Sequence, residues 1–143
     1  MSKLDLFKKY ISGKNIAILG VGISNVPLAE YLSGLNANIV CCDKREKAQL
    51  VDTYEKLSAL GVKWQLGENY LENLNGQDII FKTPGMRFDI PELVSARNSG
   101  VIVTSEMEAF FELCLARIIG VTGSDGKTTT TTLIYKMLMQ QGY

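Results

Sequence analysis

The stretch that decides the fold is NIAILGVGISNVPLAEYLSGLNANIVCCD, residues 15–43. It contains an apolar segment at Asn15–Leu19, a glycine-rich turn at residues 20–25, a helix-length segment, and a second apolar segment at Asn38–Cys42 that Asp43 follows. Continuous apolar centres such as IAIL and IVCC are typical of strands buried on both faces of a parallel sheet. The stretch therefore predicts a strand, helix, strand unit of the Rossmann type.

The same alternation of short apolar segments and longer helical segments continues to residue 104. It predicts further strands at Val62–Gln65, Asp78–Lys82 and Val101–Thr104, and helices at Ser24–Leu35, Glu46–Leu60 and Ile90–Asn98, the first of them capped by Ser24. This order is typical of an open α/β sheet with helices on both faces. We therefore predict one Rossmann-like domain over residues 1–104.

The pattern changes after residue 104. The helix-like SEMEAFFELCLA (residues 105–116) precedes a predicted strand at Arg117–Val121 and a second glycine-rich turn. These features predict that residues 105–143 begin a P-loop ATP-binding domain. A nucleotide-binding domain needs about 100–150 residues, so we expect the chain to be part of a longer protein.

Composition narrows the class of partner. The 15 basic and 15 acidic residues cancel, which disfavours binding to a nucleic-acid backbone or to an anionic membrane surface. The amino terminus lacks the apolar core of a secretion signal, and no apolar run approaches the ~18 residues of a membrane span. Three cysteines argue against a disulfide framework or a zinc site. We expect a cytoplasmic protein with small-molecule ligands.

The first glycine loop, GVGISN at residues 20–25, is similar to GxGxxG with Asn25 in place of the third glycine. Its first glycine permits a tight turn, and Gly22 allows a diphosphate to approach the backbone. Asp43 stands at the end of the second strand, where an acidic side chain commonly accepts hydrogen bonds from a ribose or a base. The loop predicts a ligand site, and a purely structural strand–helix turn is the alternative.

The turn Thr83-Pro84-Gly85 follows the fourth predicted strand directly. In an open parallel sheet the carboxyl ends of the strands line the ligand crevice. The turn is therefore expected to face the first glycine loop, although such a turn is also ordinary in loops without a ligand.

The second glycine loop, GVTGSDGKT at residues 120–128, follows a predicted strand and opens a helix, as a P-loop does. Val121 stands where the strict motif has glycine, so the loop is a variant that keeps the Gly-Lys-Thr end. Backbone amides can hold phosphates, the Lys127 ammonium can neutralise charge on the β- and γ-phosphates, and the Thr128 hydroxyl can bind Mg²⁺. The loop predicts a nucleoside triphosphate site.

GVTGSDGKTTT at residues 120–130 resembles the G-x-T-G-[ST]-x-G-K-[ST]-T loop of the Mur ligases and their folylpolyglutamate synthase relatives. These enzymes form amide bonds through an acyl phosphate made from ATP. GVGIS, CDKR and TPG are similar to the G-x-G-x-[ST], D-x-[RK] and S-P-G motifs of the Mur ligases that add D-glutamate to UDP-N-acetylmuramoyl-L-alanine. The resemblance implies a monomeric parent enzyme that uses ATP and Mg²⁺ on these two substrates, and a fragment that binds UDP without catalysing.

The resemblance also implies a role for individual residues. The UDP moiety would lie against the first loop, the end of the second strand and the TPG turn: Gly22, Ile23, Ser24, Asn25, Asp43, Lys44, Arg45, Thr83, Pro84 and Gly85. ATP would be held by Gly123, Ser124, Asp125, Gly126, Lys127, Thr128 and Thr129, with Lys127 catalytic and Thr128 a metal ligand. Two positions depart from the family motifs: Thr83 replaces a serine, and Asp125 adds a carboxylate beside the phosphates.

Three alternatives stay open at this point. A Rossmann half with Asp43 also fits an NAD(P)-dependent oxidoreductase, which would have no use for a second phosphate loop. A non-enzymatic UDP-sugar or nucleotide-binding module would fit the short chain, and the length of the natural reading frame separates it from a ligase. Lys44 and Arg45 belong to a charge run that is often a solvated helix start.

Overall fold

The computed structural model describes all of residues 1–143, which form two compact units, Met1–Leu113 and Cys114–Tyr143. The first unit extends beyond the predicted division after residue 104 because its last helix packs on its first one. Phe7 and Ala109, one from each helix, both contact the main core, and Lys3 Nζ donates a hydrogen bond of 3.3 Å to the carbonyl of Glu112.

The first unit alternates strands and helices from end to end. Its elements are α1 (Lys3–Ile11), β1 (Asn15–Leu19), α2 (Asn25–Ser33), β2 (Asn38–Asp43), a 3-10 turn (Lys47–Gln49), α3 (Val51–Ser58), β3 (Lys63–Leu66), a second 3-10 turn (Leu74–Gly76), β4 (Ile79–Lys82), α4 (Pro91–Asn98), β5 (Ile102–Thr104) and α5 (Glu106–Leu113). The second unit contains one helix, α6 (Lys127–Gln140). No helix of the structure has the length and apolar character needed to cross a membrane.

The five strands form one parallel sheet in the order β3-β2-β1-β4-β5, which confirms the predicted α/β class. The chain moves outward from β1 in one direction through β2 and β3, then returns to the other side for β4 and β5. β1 and β4 are therefore neighbours across a topological switch point, where the loops at the carboxyl ends of the strands separate and leave a crevice.

The core lies on both faces of the sheet, as the apolar strand centres predict. Ile16, Ile18 and Phe81 belong to the cluster on one face, which also holds Ala29 and Leu32 of α2. Ala17, Leu19 and Ile80 belong to the cluster on the other face, with Leu93 and Ala96 of α4. Each fully buried aliphatic side chain contributes about 1.5–3 kcal/mol, so the sheet ends are fixed firmly enough to orient the loops between them.

Three local predictions need correction. Residues 117–121 do not form a strand, because the second unit contains no other strand to supply backbone partners. The helix predicted over Glu46–Leu60 is divided at Leu50 into a 3-10 turn and α3. Ser24 precedes α2 in helical geometry and makes no capping hydrogen bond with its side chain.

The structure also contains helix α1, which sequence analysis did not predict although its signal was present. Ser2 accepts a hydrogen bond from the amide of Asp5, and the Asp5 carboxylate accepts one from the amide of Ser2. This reciprocal pair is a capping box, which marks a helix start in sequence.

Candidate functional site

A cleft of about 630 Å³ opens at the carboxyl ends of β1, β2 and β4. Its position agrees with the crevice expected at the switch point of the sheet. Its walls come from four loops and the start of α4: Gly20, Val21, Gly22, Asp43, Lys44, Arg45, Tyr70, Leu71, Thr83, Gly85, Met86, Arg87, Ile90, Pro91 and Glu92. Apolar side chains and charged side chains of both signs share the lining, which suits a ligand with a ring and an anionic group.

The loop between β1 and α2 is held tightly against the sheet. Gly20 adopts φ +83°, and a Cβ at this position would lie 3.3 Å from the Cβ of Thr83. Its amide donates a 2.7 Å hydrogen bond to the carbonyl of Cys42. Glycine is required here by the backbone conformation and by the close approach of the neighbouring loop.

Asn25 fastens the same loop from the helix side. Its side chain is buried, and Nδ2 donates to the carbonyls of Gly20 at 2.8 Å and Leu19 at 3.2 Å. Oδ1 has no hydrogen-bond partner within the protein. The residue that replaces the third glycine of the motif therefore stabilises the turn with its amide group, which the sequence pattern alone did not indicate.

Asp43 joins the first loop to the loop after β2. Its Oδ2 accepts hydrogen bonds from the amide of Val21 and from Arg45 Nη2, each at 2.8 Å. Its Oδ1 accepts from the amide and from Nε of Arg45, each at 2.9 Å. Arg45 Nη2 also donates to the carbonyl of Val21 at 3.0 Å. A carboxylate has about four lone-pair sites, so protein donors already use all of them.

The electrostatics of this group favour the charged form. Burial by itself would raise the pKa of Asp43, but the hydrogen bonds from the Arg45 side chain, the Arg45 amide and the Val21 amide outweigh it and lower the pKa to about 2. The Asp43 carboxylate in turn raises the pKa of the Arg45 guanidinium. Both groups are charged at neutral pH, and their pair braces two loops that line the cleft.

The turn after β4 forms the opposite wall. The amide of Thr83 donates to the carbonyl of Leu19 at 3.0 Å, and the carbonyl of Thr83 accepts from the amide of Met86 at 3.1 Å, which closes a β-turn. Gly85 within this turn does not have positive φ, and a Cβ there would meet no atom within 4 Å. Gly22 across the cleft shares both properties.

The structure brings together most of the residues predicted to bind UDP. Gly22, Asp43, Lys44, Arg45, Thr83 and Gly85 all line the cleft, whereas Ile23, Ser24, Asn25 and Pro84 do not. The Ile23 side chain is 97% exposed, and Ser24 lines a separate apolar pocket with Phe7 and Phe110. The roles assigned to all ten residues stay predictions.

Sequence analysis missed the rest of the lining. Pro91 begins α4, and a proline at the first helical position after β4 could have indicated that this helix start faces the crevice. Tyr70 and Leu71 come from the connection after β3, where no motif announces them. Burial, followed by the charges of Asp43 and Glu92, raises the pKa of Tyr70, so its hydroxyl is a donor at neutral pH.

The second unit carries the second glycine loop, the predicted P-loop, at the start of α6. The first-turn amides of a helix have no intrahelical acceptor. Gly126, which precedes α6 with φ +72°, provides no side chain to cap them. Lys127 Nζ donates to the carbonyls of Gly123 and of Ser124, the latter at 3.0 Å. Free amides at a helix start together with an ammonium group fit a phosphate chain.

Magnesium also fits this loop, provided that the nucleotide supplies most of its ligands. Thr128 follows Lys127 in the first turn of α6, and no group of three His, Cys, Asp or Glu residues in the structure could hold a metal by itself. Mg²⁺ commonly binds through one or two protein oxygens together with phosphate and water oxygens. A single Thr128 hydroxyl is compatible with that mode.

Comparisons with known proteins agree on one family. The family model described as "Mur ligase MurD-like, N-terminal domain" matches residues 14–105. The chain is 57% identical over 142 residues to a UDP-N-acetylmuramoylalanine–D-glutamate ligase of Acetivibrio thermocellus and 53% identical over 137 residues to one of Clostridium novyi, and it covers 99% and 96% of its own length in these matches. It spans about 30% of the length of these relatives.

A solved structure gives the same result in three dimensions. The murein peptide ligase of Psychrobacter arcticus 273-4 matches 91% of this chain with a TM-score of 0.56 and 25% identity, and the match covers 27% of that protein. Family model, sequence relatives and structure therefore agree, and the chain belongs to the Mur ligase family, with its residues 14–105 forming a MurD-like N-terminal domain.

Proposed function

We propose that the parent protein is an ATP-dependent ligase that joins D-glutamate to UDP-N-acetylmuramoyl-L-alanine, and that the cleft of the first unit binds the UDP moiety. The relatives at 57% and 53% identity are UDP-N-acetylmuramoylalanine–D-glutamate ligases, which supports the reaction. The cleft at the switch point of the sheet supports the UDP site, since such crevices commonly hold nucleotides.

The observation that carries the UDP site is the pair of glycines Gly22 and Gly85. Neither has positive φ, and neither would contact another atom if it carried a Cβ, so nothing within the protein requires glycine there. Both line the cleft. A ligand that approaches the backbone closely, such as a diphosphate, explains both glycines.

The charges around the cleft suit an anionic ligand with a polar ring. Lys44 lines the cleft and forms no ion pair, so its ammonium is free to approach a phosphate. Leu71, Ile90 and Tyr70 provide an apolar part of the wall, and the Tyr70 hydroxyl adds a donor. Asp43 acts mainly by holding the Val21 amide and Arg45 in position.

The proposed reaction proceeds in two steps. The carboxylate oxygen of the UDP substrate forms a bond to the γ-phosphorus of ATP, and ADP leaves with the electrons of the broken P–O bond. The amine of D-glutamate then attacks the acyl carbon, loses a proton and expels phosphate, which leaves an amide. Lys127 would lie beside the phosphates in the first step, and Thr128 would hold a Mg²⁺ ion, which would supply positive charge against the phosphate oxygens.

Calorimetric titration of residues 1–143 with UDP tests the binding site. We expect saturable binding by the wild-type chain and weaker binding by Gly85→Ala, since the added methyl group would occupy ligand space. Gly76→Ala is the matched control, because Gly76 is also exposed, lacks positive φ and has open space around it, but lies outside the cleft. A folded chain that binds NADH and not UDP would contradict the proposal.

The full-length protein tests the reaction. ADP release is expected to require both the UDP substrate and D-glutamate. Release that is independent of D-glutamate, or faster with another amino acid, would contradict the substrate assignment.

A further inference from the structure

Lys82 is a buried cation without an acidic partner. It is the last residue of β4 and is 4% exposed, yet no carboxylate forms an ion pair with it. Its Nζ has two polar or cation–π partners: the carbonyl of Thr83 at 3.3 Å and the ring of Phe88, whose centroid lies 4.3 Å away.

Such an arrangement is unfavourable for stability. An ammonium group has three donors, and the carbonyl and the ring satisfy them only in part. Burial of a cation without a counter-charge is costly, and an apolar side chain of similar length would avoid that cost. The charge of Lys82 therefore calls for an explanation other than core packing.

The two neighbours of the ammonium lie at the two ends of one segment. The carbonyl of Thr83 also accepts the hydrogen bond from Met86 that closes the β-turn, so Lys82 binds the turn at its closing atom. Phe88 ends the segment, and its carbonyl accepts a hydrogen bond of 2.7 Å from Arg97 Nη2 of α4. Between these ends, Gly85, Met86 and Arg87 line the cleft.

We propose that Lys82 is a positioning residue for the UDP site: its buried ammonium holds residues 83–88 in the shape that the ligand requires. The proposal rests on the proposed function of the cleft. Lys82 does not itself line the cleft. It acts through the Thr83 carbonyl and the Phe88 ring on the wall that does.

The test compares Lys82→Met, which keeps length but removes the charge, with Lys82→Arg, which keeps the charge. Lys63→Met on the exposed side of β3 is the matched control. Three quantities are measured on the chain: the thermal midpoint, hydrogen exchange of the Met86 amide without ligand, and the Kd for UDP. Phe88→Leu, which removes the ring and leaves the ammonium, is a second variant.

For Lys82→Met we expect an unchanged or higher thermal midpoint, faster exchange at Met86 and a Kd for UDP raised about tenfold, the effect of one lost hydrogen bond to a charged group. Lys82→Arg should keep wild-type exchange at Met86 and a wild-type Kd for UDP. Phe88→Leu should change both quantities in the same direction as Lys82→Met, and Lys63→Met should change neither.

Wild-type exchange and affinity in Lys82→Met would overturn the proposal, and so would a large fall in its midpoint or a failure to fold, since either would make Lys82 a stability residue. Phe88→Leu with wild-type exchange and affinity would also overturn it. If the wild-type chain binds no UDP, the proposed function fails, whereas the exchange data still decide whether Lys82 positions the turn.

Discussion

The two glycine loops of this chain differ in what holds them. The loop at residues 20–25 is fixed by Thr83, Cys42, Asp43 and the side chain of Asn25, all from its own compact unit. In the loop at residues 120–128, the side chain of Lys127 bonds to the carbonyls of its own loop, and the only regular element of that unit is α6.

The comparison shows that a loop can match its sequence motif closely without belonging to a well-defined site, and the reverse. The first loop departs from its motif at Asn25, yet it contributes to a defined cleft with a braced carboxylate. The second loop keeps its diagnostic lysine and threonine, yet within its unit it has no strand beside it. A motif indicates the chemistry of a loop, whereas neighbouring strands determine whether its geometry is fixed.

The largest expected effect concerns the second loop. Lys127→Ala in the full-length protein should reduce turnover by a factor of about 10³ or more, the order associated with losing a charge on a transferring phosphoryl group. Binding of the UDP substrate should be unchanged. Steady-state ADP release checks the first expectation and calorimetry the second.

The matched control for Lys127 is Lys136→Ala, since Lys136 is an exposed lysine on the same helix. It should retain wild-type turnover. If Lys127→Ala kept more than about a tenth of the turnover, the P-loop lysine would not have the role assigned to it.

A smaller effect is expected at Asp43, which holds the first loop through its hydrogen bonds to Val21 and Arg45. Asp43→Ala removes an acceptor of four hydrogen bonds from Val21 and Arg45, and it should lower the free energy of unfolding by about 1.5–3 kcal/mol. Affinity for UDP should fall as well, because both loops lose their common support. Chemical denaturation and calorimetry measure the two effects.

Asp78→Ala is the control for this prediction, because Asp78 also binds a backbone amide and a cation, those of Asn15 and Lys14, at the opposite end of the sheet. It should lower stability and leave UDP affinity unchanged. Equal UDP affinity in Asp43→Ala and the wild-type chain would show that the brace is irrelevant to binding.

The fold was predictable because its strands are apolar along their whole length. Asn15–Leu19 was predicted with the bounds it has, and the other four strands of the sheet lie within a residue or two of their predicted bounds. Helix bounds were less accurate, since the division at Leu50 leaves no mark in the hydrophobic pattern. The predicted strand at residues 117–121 failed because apolar composition cannot supply a partner strand.

The site was predictable only where a motif coincides with a strand end. Asp43 ends β2, Thr83 directly follows β4 and Gly22 lies in the loop after β1, and all three line the cleft. Tyr70 and Leu71 reach the cleft through the connection between β3 and β4, and no local signal links them to it. Of the four hydrogen bonds of Asp43, the one from the Val21 amide joins residues whose distance depends on the register of β1 and β2, which a single sequence does not reveal.

The stability of the protein in acid tests how the Asp43 carboxylate holds the first glycine loop. Asp43 has a folded pKa of about 2, below the ordinary aspartate value of 3.8. Because its folded pKa is lowered, the charged Asp43 carboxylate contributes its full stabilisation above pH 3.8, and this contribution is lost as the pH falls through about 2. We expect about 2 kcal/mol of the unfolding free energy to disappear over this window. In Asp43→Asn, the free energy of unfolding should change less with pH between 2 and 4 than it does in the wild type. Denaturation at several pH values measures this dependence, and an equal dependence in the two proteins would contradict the assignment.

The smallest effects distinguish the two glycines of the first loop. Gly20→Ala places a side chain at φ +83° and 3.3 Å from Thr83, so it should lower the free energy of unfolding by about 1–2 kcal/mol. Gly22→Ala should leave stability within about 0.5 kcal/mol of wild type, because its Cβ meets open space, but it should weaken UDP binding. Denaturation and calorimetry on the two variants measure both quantities. If Gly22→Ala bound UDP as tightly as wild type, Gly22 would not mark the approach of the diphosphate, and the ligand would have to lie against the Lys44 and Tyr70 side of the cleft instead.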